Sequence, residues 1–293
     1  MTTPTLQEAL SQQSAGTPWF KTFPESLDEE IDSKEFVFRL MVLSSSMVLE
    51  RRQLLPESTF GIRKISRLQI PSYNINDATG KRLKKKMDAL KPAIEKQYLK
   101  DFSIVFYRKP DEEDVFEVFS FKFRYGENTV SMDLQTGSNE DNLSLTLMSY
   151  TYESTETVKD NFIVVMKYLN RYVKHLGPLP DNADASFRLA YTDETPADYA
   201  PEGFETSDVF YTIDSEAAEI GILGGAHAAL QISATSLLPK KSKLDLNQTY
   251  VSGDESFIAQ KKRKSQENVK STAKKARFAA SAAFVRPQKK QKL

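Results

Sequence analysis

The sequence predicts an α+β domain in which an antiparallel β-sheet is covered by three helices. Three observations predict it: a helix-length apolar run after Ser33, a change to an alternating apolar pattern between residues 102 and 126, and a second helical periodicity after Ser154. Helices separated from runs of strands, rather than alternating with them, are typical of this fold class. A further extended region, residues 187–232, follows the last predicted helix.

The first predicted helix is expected to lie at the centre of the domain. Ser33 is a residue type that caps helices, and the interior of the run that follows, residues 36–43, is apolar on nearly every side. Polar residues from Ser44 onwards make a membrane helix the less favoured alternative. We expect the helix to end near Pro56.

Two amphipathic helices are predicted beside it. Between residues 78 and 99, apolar residues recur at spacings of three and four, and Pro92 is expected to bend or end this helix. Its outer face carries five Lys and Arg residues, which we interpret as a solvated face. The third helix begins after Ser154 and extends to about Leu176, with one apolar face.

The alternating runs predict an antiparallel meander. They comprise residues 102–108, 117–126, 129–134 and 143–150. In the second run four aromatic side chains fall on one face, Phe119, Phe121, Phe123 and Tyr125. Such a stripe is also found in proteins that stack nucleic-acid bases, but no Lys and Arg groove accompanies it, so core packing is favoured.

The net charge of zero conceals two parts of opposite sign. From Lys240 onwards the chain has 15 Lys and Arg against 4 Asp and Glu, a net charge of +11, which leaves −11 for the preceding part. We therefore expect an N-terminal arm (1–32), a folded domain (33–240) and a disordered basic tail (241–293). Trp19, Phe20, Phe23 and Leu27 suggest that the arm packs on the domain.

The sequence offers little for catalysis or metal binding. The chain has no cysteine, so thiolate chemistry, thiolate zinc sites and disulfides are excluded. His175 and His227 stand alone, and no phosphate-binding glycine loop is present. The acidic run 111–114 lacks the ligand spacing of a calcium loop and is interpreted as a solvated turn. We predict no enzyme, no metal and no cofactor, and no apolar run approaches the roughly 20 residues that span a bilayer.

Four segments carry a resemblance to a known family. In this chain they read LSSSMVLERRQLLPESTF (43–60), EVFSFKFRY (117–125), PLP with FRLAY (178–180 and 187–191) and TPADYAPEGF (195–204). With them the chain resembles the meiotic HORMA-domain family, which includes the yeast axis protein Hop and the animal HORMAD proteins, and it looks most like nematode-type axis members. The resemblance covers residues 33 to about 236.

The resemblance implies how the last extended region works. In this family that region is a safety belt, which wraps around a short closure-motif peptide and traps it by backbone pairing. Carried onto this chain, the belt spans about residues 178–236, with residues 221–232 as its closing strand. The apolar belt residues expected to bind the peptide are Phe187, Leu189, Tyr191, Val209, Tyr211, Ile213, Ile220, Ile222, Leu230 and Ile232.

The basic tail contains one apolar island, residues 276–288, which the resemblance identifies as a closure motif for the HORMA domain of a related protein. Small residues and aromatics suit addition to a sheet edge; the alternatives are a marginal helix or plain disorder. The motif residues we select are Arg277, Phe278, Phe284, Val285, Arg286 and Pro287. The cluster Lys261, Lys262, Arg263 and Lys264 is typical of nuclear-import signals.

The expected function is therefore that of a meiotic chromosome-axis adaptor in the nucleus. It would clasp closure motifs of partner HORMA and axis proteins, with no membrane contact and an indirect association with chromatin. Two other functions remain open: a checkpoint- or repair-type HORMA adaptor, and a nucleic-acid-binding protein that acts through its basic tail, whose affinity would fall steeply with salt.

Overall fold

A computed structural model of the 293-residue chain describes residues 18–126, 129–134, 146–207, 213–238 and 282–285. Within these ranges it contains four α-helices and eleven β-strands, together with short 3-10 turns at Trp19–Lys21 and Glu57–Thr59. The predicted α+β class is confirmed.

The helices are α1 (Glu30–Arg52), α2 (Ala78–Asp88), α3 (Lys91–Glu95) and α4 (Thr155–His175). The Asp77 carboxylate caps α2 by accepting hydrogen bonds from two backbone N–H groups, and the Ser154 hydroxyl caps α4 by accepting one from Thr157. The predicted second helix is divided into α2 and α3, and Pro92 lies in the first turn of α3, where its missing N–H is tolerated.

The predicted cap at Ser33 is wrong. Helix α1 begins three residues earlier, at Glu30, and Ser33 lies within its first turn. Its buried hydroxyl donates a hydrogen bond to the Leu27 carbonyl (2.8 Å) and accepts one from the His227 N–H (3.2 Å). The side chain therefore joins the helix to two other segments instead of capping it.

The main sheet has seven strands. In chain order the strands of the protein are β1 (Phe60–Ile65), β2 (Leu68–Tyr73), β3 (Leu99–Arg108), β4 (Val115–Tyr125), β5 (Thr129–Leu134), β6 (Thr146–Thr151), β7 (Ala183–Tyr191), β8 (Glu205–Thr206), β9 (Ala218–Gly224), β10 (Ala228–Ser236) and β11 (Ala282–Val285). The order across the sheet is β8-β11-β7-β3-β4-β10-β9. All neighbours are antiparallel except β11, which runs parallel to both β7 and β8.

Two predictions about the strands need correction. The four alternating runs do not form one meander. Among the described strands β5 and β6 pair only with each other, and β4 lies between β3 and β10. The predicted closing strand over residues 221–232 is a hairpin, β9 and β10, with Gly225 in its turn. The hairpin of β1 and β2 was not predicted at all.

The two faces of the main sheet differ. The inner face carries the aromatic stripe of β4, where Phe119, Phe121 and Phe123 are buried with the helices in one large core cluster, so the core interpretation of the stripe is confirmed. The outer face carries a separate small cluster of Val105, Tyr107, Val115 and Val118.

The N-terminal segment packs on the core through three of the four apolar residues predicted to do so, and the prediction for Phe20 is wrong. Trp19, Phe23 and Leu27 are buried, whereas Phe20 is 55% exposed. The Trp19 ring contacts the rings of Phe23 (4.4 Å between centroids) and Phe162 (5.5 Å), and its indole N–H donates to the Pro24 carbonyl. This segment thus links α1 to α4.

Candidate peptide-binding site

A two-sided slot for an extended strand lies at one edge of the main sheet. Strand β11 occupies it, with β7 on one side and the two-residue strand β8 on the other. The register pairs Ala282 with Phe187, Ala283 with Arg188, Phe284 with Leu189 and Val285 with Ala190, while Ala283 and Phe284 also pair with Glu205 and Thr206. A strand held on both sides satisfies its backbone donors and acceptors by addition to a sheet, whatever its side chains are.

Strand β7 is buried on both faces, which explains why it makes a firm wall for the slot. Phe187, Leu189 and Tyr191 point into the inner core, and Phe187 packs against Phe102 of β3 with 5.3 Å between ring centroids. The intervening residues point to the outer face, and among them Ser186 and Arg188 are also buried. With β11 in place, both faces of β7 are therefore packed.

Charged pairs fix the outer face of β7. The buried Arg188 guanidinium lies 3.1 Å from a carboxylate oxygen of Glu112 and also donates to the Ser186 hydroxyl. The Lys109 ammonium lies 2.6 Å from the buried Asp184 carboxylate. The link between β3 and β4 is therefore anchored on β7. The prediction of a solvated turn at residues 111–114 holds for Asp111, Glu113 and Asp114, which are exposed, while Glu112 is half-buried against Arg188.

A buried phenol completes this polar cluster. Burial, together with the negative charges of Asp184 and Glu112, raises the pKa of Tyr107 to about 12. The phenol stays protonated at neutral pH, so it adds no charge to the outer face beside Arg188.

The chain between β7 and β9, residues 192–217, borders the slot, and we call it the crossing segment; the structure describes its residues 192–207 and 213–217. It leaves the sheet at the end of β7, supplies β8 on the far side of β11, and ends at β9 on the opposite edge of the sheet. On its way it crosses the outer face, because Ile213 packs against the outer cluster of Val105, Tyr107, Val115 and Val118. A strand in the slot thus has β7 on one side and β8 on the other, and the segment that supplies β8 continues at Ile213 on the outer face of the sheet.

The far end of the crossing segment is anchored by the hairpin β9–β10. Strand β10 pairs with β4 along nine residues. The Tyr150 hydroxyl donates to the Gly224 carbonyl and accepts from the Gly224 N–H, at 2.7 and 3.1 Å. Gly221 lies against α4 so closely that a Cβ there would be 2.7 Å from a methyl group of Val165. The hairpin therefore needs close backbone contact with both β6 and α4.

The structure brings together only part of the predicted site. Phe187 and Leu189 pair with β11, and Phe284 and Val285 belong to β11. Ile220, Ile222, Leu230 and Ile232 lie in β9 and β10, with β7, β3 and β4 between them and the slot. Ile213 lies on the outer face. Several predicted residues fall outside the described ones: Val209, Tyr211, Lys261, Lys262, Arg263, Lys264, Arg277, Phe278, Arg286 and Pro287.

Sequence reasoning missed the second wall of the slot. Glu205 and Thr206 form a strand of two residues, which is too short to show any periodicity. The one available signal was Phe204, a large apolar residue in an otherwise polar loop, which is 6% exposed and belongs to the core.

The described residues contain no group of three or more His, Asp or Glu side chains that could hold a metal ion. Among the same residues, none of the helices is long and apolar enough to cross a lipid bilayer.

Comparison with known proteins identifies this architecture. The family model for the HORMA domain matches residues 33–223. HORMA domain-containing protein 1 from human is 32% identical over 190 residues, which are 64% of this chain and 46% of that protein. HORMA domain-containing protein 2 from cattle is 26% identical over 231 residues, 76% of this chain and 73% of that protein. The chain thus spans about half of the length of HORMA domain-containing protein 1.

Solved structures give the same result. The C. elegans protein HTP-1 bound to the HIM-3 closure motif has a TM-score of 0.67 and 27% identity, covering 76% of this chain and 98% of that one. C. elegans HTP-2 bound to the HTP-3 closure motif 1 has a TM-score of 0.65 and 26% identity, covering 80% and 99%. The matched family model, the HORMA domain-containing relatives and the shared fold together show that this chain belongs to the HORMA-domain family.

Proposed function

We propose that this protein is a meiotic chromosome-axis adaptor that clasps closure-motif peptides in the slot between β7 and β8 and offers its own C-terminal motif to a related HORMA protein. The observation that carries the proposal is β11, which begins 91 residues after the end of β7 and lies parallel to β7, with β8 of the crossing segment on its other side. An enclosed strand leaves only when the crossing segment opens, so its release is slow.

The relatives support this proposal. The similar C. elegans structures hold HTP-1 bound to the HIM-3 closure motif and HTP-2 bound to an HTP-3 closure motif. Strand β11 lies within residues 276–288, the segment in which the sequence predicts a closure motif. A chain that has both a slot and a motif can link to others in series. Such linkage would build the axis in the nucleus, where it would support homologue pairing, synapsis and crossover control.

A competition experiment with the full-length chain tests the proposal. Because β11 is paired on both sides, a proline at Ala283 removes a backbone donor needed on one side or the other, and A283P should empty the slot. Labelled peptides with the HIM-3 or HTP-3 closure motif, or residues 271–290 of this chain, would be titrated with A283P and followed by fluorescence anisotropy. We expect at least one peptide to bind with a Kd of about 1 μM or tighter.

The wild-type chain and A273P are the matched controls, since Ala273 lies in the tail but outside the predicted motif. Both chains retain β11, which competes with the added peptide at an effective concentration on the order of millimolar. Peptide binding to these two chains should therefore be at least about tenfold weaker than binding to A283P. Failure of every peptide to bind a folded A283P chain would show that the slot does not clasp motifs. Equal binding to all three chains would show that residues 282–285 do not occupy it.

A further inference from the structure

Strand β8 is too short to hold its own position. It has two residues, both exposed, and among the described strands its pairing partner is β11 alone. Fixing the backbone of a residue costs about 1–2 kcal/mol, whereas a backbone hydrogen bond contributes a net stabilisation of about 1 kcal/mol. Since the pairing scarcely offsets the ordering of β8, other contacts must position it.

The residue just before β8 makes such contacts with the core and with helix α2. Phe204, which precedes β8, is 6% exposed and packs in the core. The Lys86 ammonium of α2 lies over the Phe204 ring, 5.4 Å from its centroid. Lys86 is half-buried, and burial together with the charge of Arg82 lowers its pKa, while the charge of Glu205 in β8 raises it. One lysine therefore faces both the anchoring ring and the strand that it positions.

A second contact holds the same loop five residues earlier. The Tyr199 ring meets the rings of Tyr98 and Tyr191 edge-on, with 5.1 and 5.8 Å between centroids. The Lys96 ammonium lies over both Tyr98 and Tyr199, at 5.8 and 5.7 Å. Between the two contacts, Gly203 takes the left-handed backbone conformation, with a φ of 78°, which turns the chain towards β8.

We propose that Lys86 and Phe204 form a clamp on the crossing segment that positions β8 and thereby sets how long a strand stays in the slot. The inference rests on the proposed function and adds the residues that regulate release. These are positioning residues, because neither belongs to the strands β7 and β8 that pair with the clasped strand. A basic helix face that the sequence predicts to be only solvated thus acquires a specific role.

The neighbouring Lys85 provides a matched control on the same helix. Its ammonium lies 2.6 Å from the Glu202 carboxylate, but both side chains are more than 70% exposed. An exposed pair of this kind contributes little because water screens it. The clamp therefore predicts that substitution of Lys86 speeds release of the strand from the slot much more than substitution of Lys85.

Amide hydrogen exchange of the full-length chain, followed by mass spectrometry, tests the clamp. In the wild-type chain residues 282–285 should be protected. In F204A their exchange should be faster by about a hundredfold, as expected for loss of a buried ring. In K86M, which keeps the alkyl chain, it should be faster by about tenfold. In K85M it should stay within about twofold of wild type. Exchange in β3 and β4 serves as the readout of global folding and should be unchanged in K86M.

The outcomes separate the two proposals. If residues 282–285 exchange freely in the wild-type chain, β11 does not occupy the slot, and both the observation that carries the proposed function and the clamp fail. If they are protected in wild type and equally protected in K86M and F204A, clasping stands and the clamp is wrong. Equal acceleration in K85M and K86M would also overturn the clamp, because general loss of positive charge on α2 would then explain the effect.

Discussion

The buried ion pair of Arg52 and Glu117 shows how single residues tie the fold together. The guanidinium of Arg52, at the end of α1, lies 2.7 Å from the Glu117 carboxylate of β4 and donates to the Gly177 carbonyl. The second carboxylate oxygen of Glu117 accepts from the hydroxyl of Ser236, the last residue of β10. The pair therefore joins the central helix, the sheet and the chain that follows α4.

This pair predicts a pH dependence of stability. Burial raises the pKa of Glu117 to about 7, against the lowering effects of Arg52 and Ser236. Since the folded pKa lies above the unfolded one, the folded state binds more protons between about pH 4.5 and 7, and the free energy of unfolding falls as the pH rises through that window. Between pH 5 and 8, the free energy of unfolding of the wild-type protein should therefore fall by up to roughly 3 kcal/mol relative to that of E117Q.

Urea denaturation of both proteins across this pH range measures the difference. The glutamine variant is the control because it keeps the shape of the side chain and does not titrate. A difference between the two proteins that stays constant from pH 5 to 8 would contradict a raised pKa for Glu117.

The glycine in the turn between β9 and β10 gives a second prediction for a single residue. A Cβ on Gly225 would lie 2.3 Å from the Ser33 hydroxyl and 2.6 Å from the Leu27 carbonyl, both of which are buried against this turn. Gly126, whose N–H donates to the His227 carbonyl of the same turn, has nothing within 4 Å of its Cβ position. G225A should cost about 1–3 kcal/mol of stability and G126A about 0.5 kcal/mol or less.

Thermal or urea unfolding distinguishes these two substitutions. Equal stability of G225A and G126A would show that the turn is not packed against the N-terminal segment and the start of α1.

Among the elements, the N-terminal segment contributes more to the core than a linker would. Trp19 is 8% exposed and contacts aromatic rings from its own segment, α1 and α4, whereas Phe20 beside it is 55% exposed. W19A should therefore lower the free energy of unfolding by about 3–5 kcal/mol, and F20A should change it by less than about 0.5 kcal/mol. Similar effects of the two substitutions in urea denaturation would show that the segment is not a stabilising part of the fold.

Elements with long periodicity could be predicted from the sequence, and short or Gly-containing ones could not. Helices α1 and α4 present enough turns for their apolar pattern to be read, and Pro92 correctly marked the division between α2 and α3. The pairing of β4 with β10 could not be read, because it depends on tertiary contacts between residues about a hundred positions apart. The hairpin of β1 and β2 was missed because the buried and exposed residues of β1 do not alternate.

The site was predictable to a similar extent. The family resemblance selected the segments that contain β7 and β11, since both have distinctive sequences, and their roles as belt and closure motif stay predictions. It could not indicate that Leu230 and Ile232 lie in β10, separated from the slot by β7, β3 and β4, because an alternating pattern shows that a face is buried but not which strands pair. Strand β8 is recognisable only from its pairing in three dimensions.

For the whole molecule, the topology of the sheet supports the function proposed for the slot. The two edges of the sheet are joined by the crossing segment, so a strand between β7 and β8 is held by the backbone on both sides and is also enclosed. Pairing alone would permit dissociation from the open edge, whereas an enclosed strand requires the crossing segment to move first. The charge distribution favours such an arrangement, since the C-terminal part of the chain from Lys240 carries a net charge of +11 and the preceding part −11.

Cysteine cross-linking tests the central claim most directly, because the native chain contains no cysteine. In the observed register Ala190 pairs with Val285, while Ala282 lies three residues away along β11, on the order of 10 Å. Under mild oxidation A190C/V285C should form an intramolecular disulfide rapidly, seen as a shift in monomer mobility, and A190C/A282C should form it at least about tenfold more slowly. Equal rates of disulfide formation for the two pairs, or no cross-linked monomer from either, would contradict a strand held in register in the slot between β7 and β8.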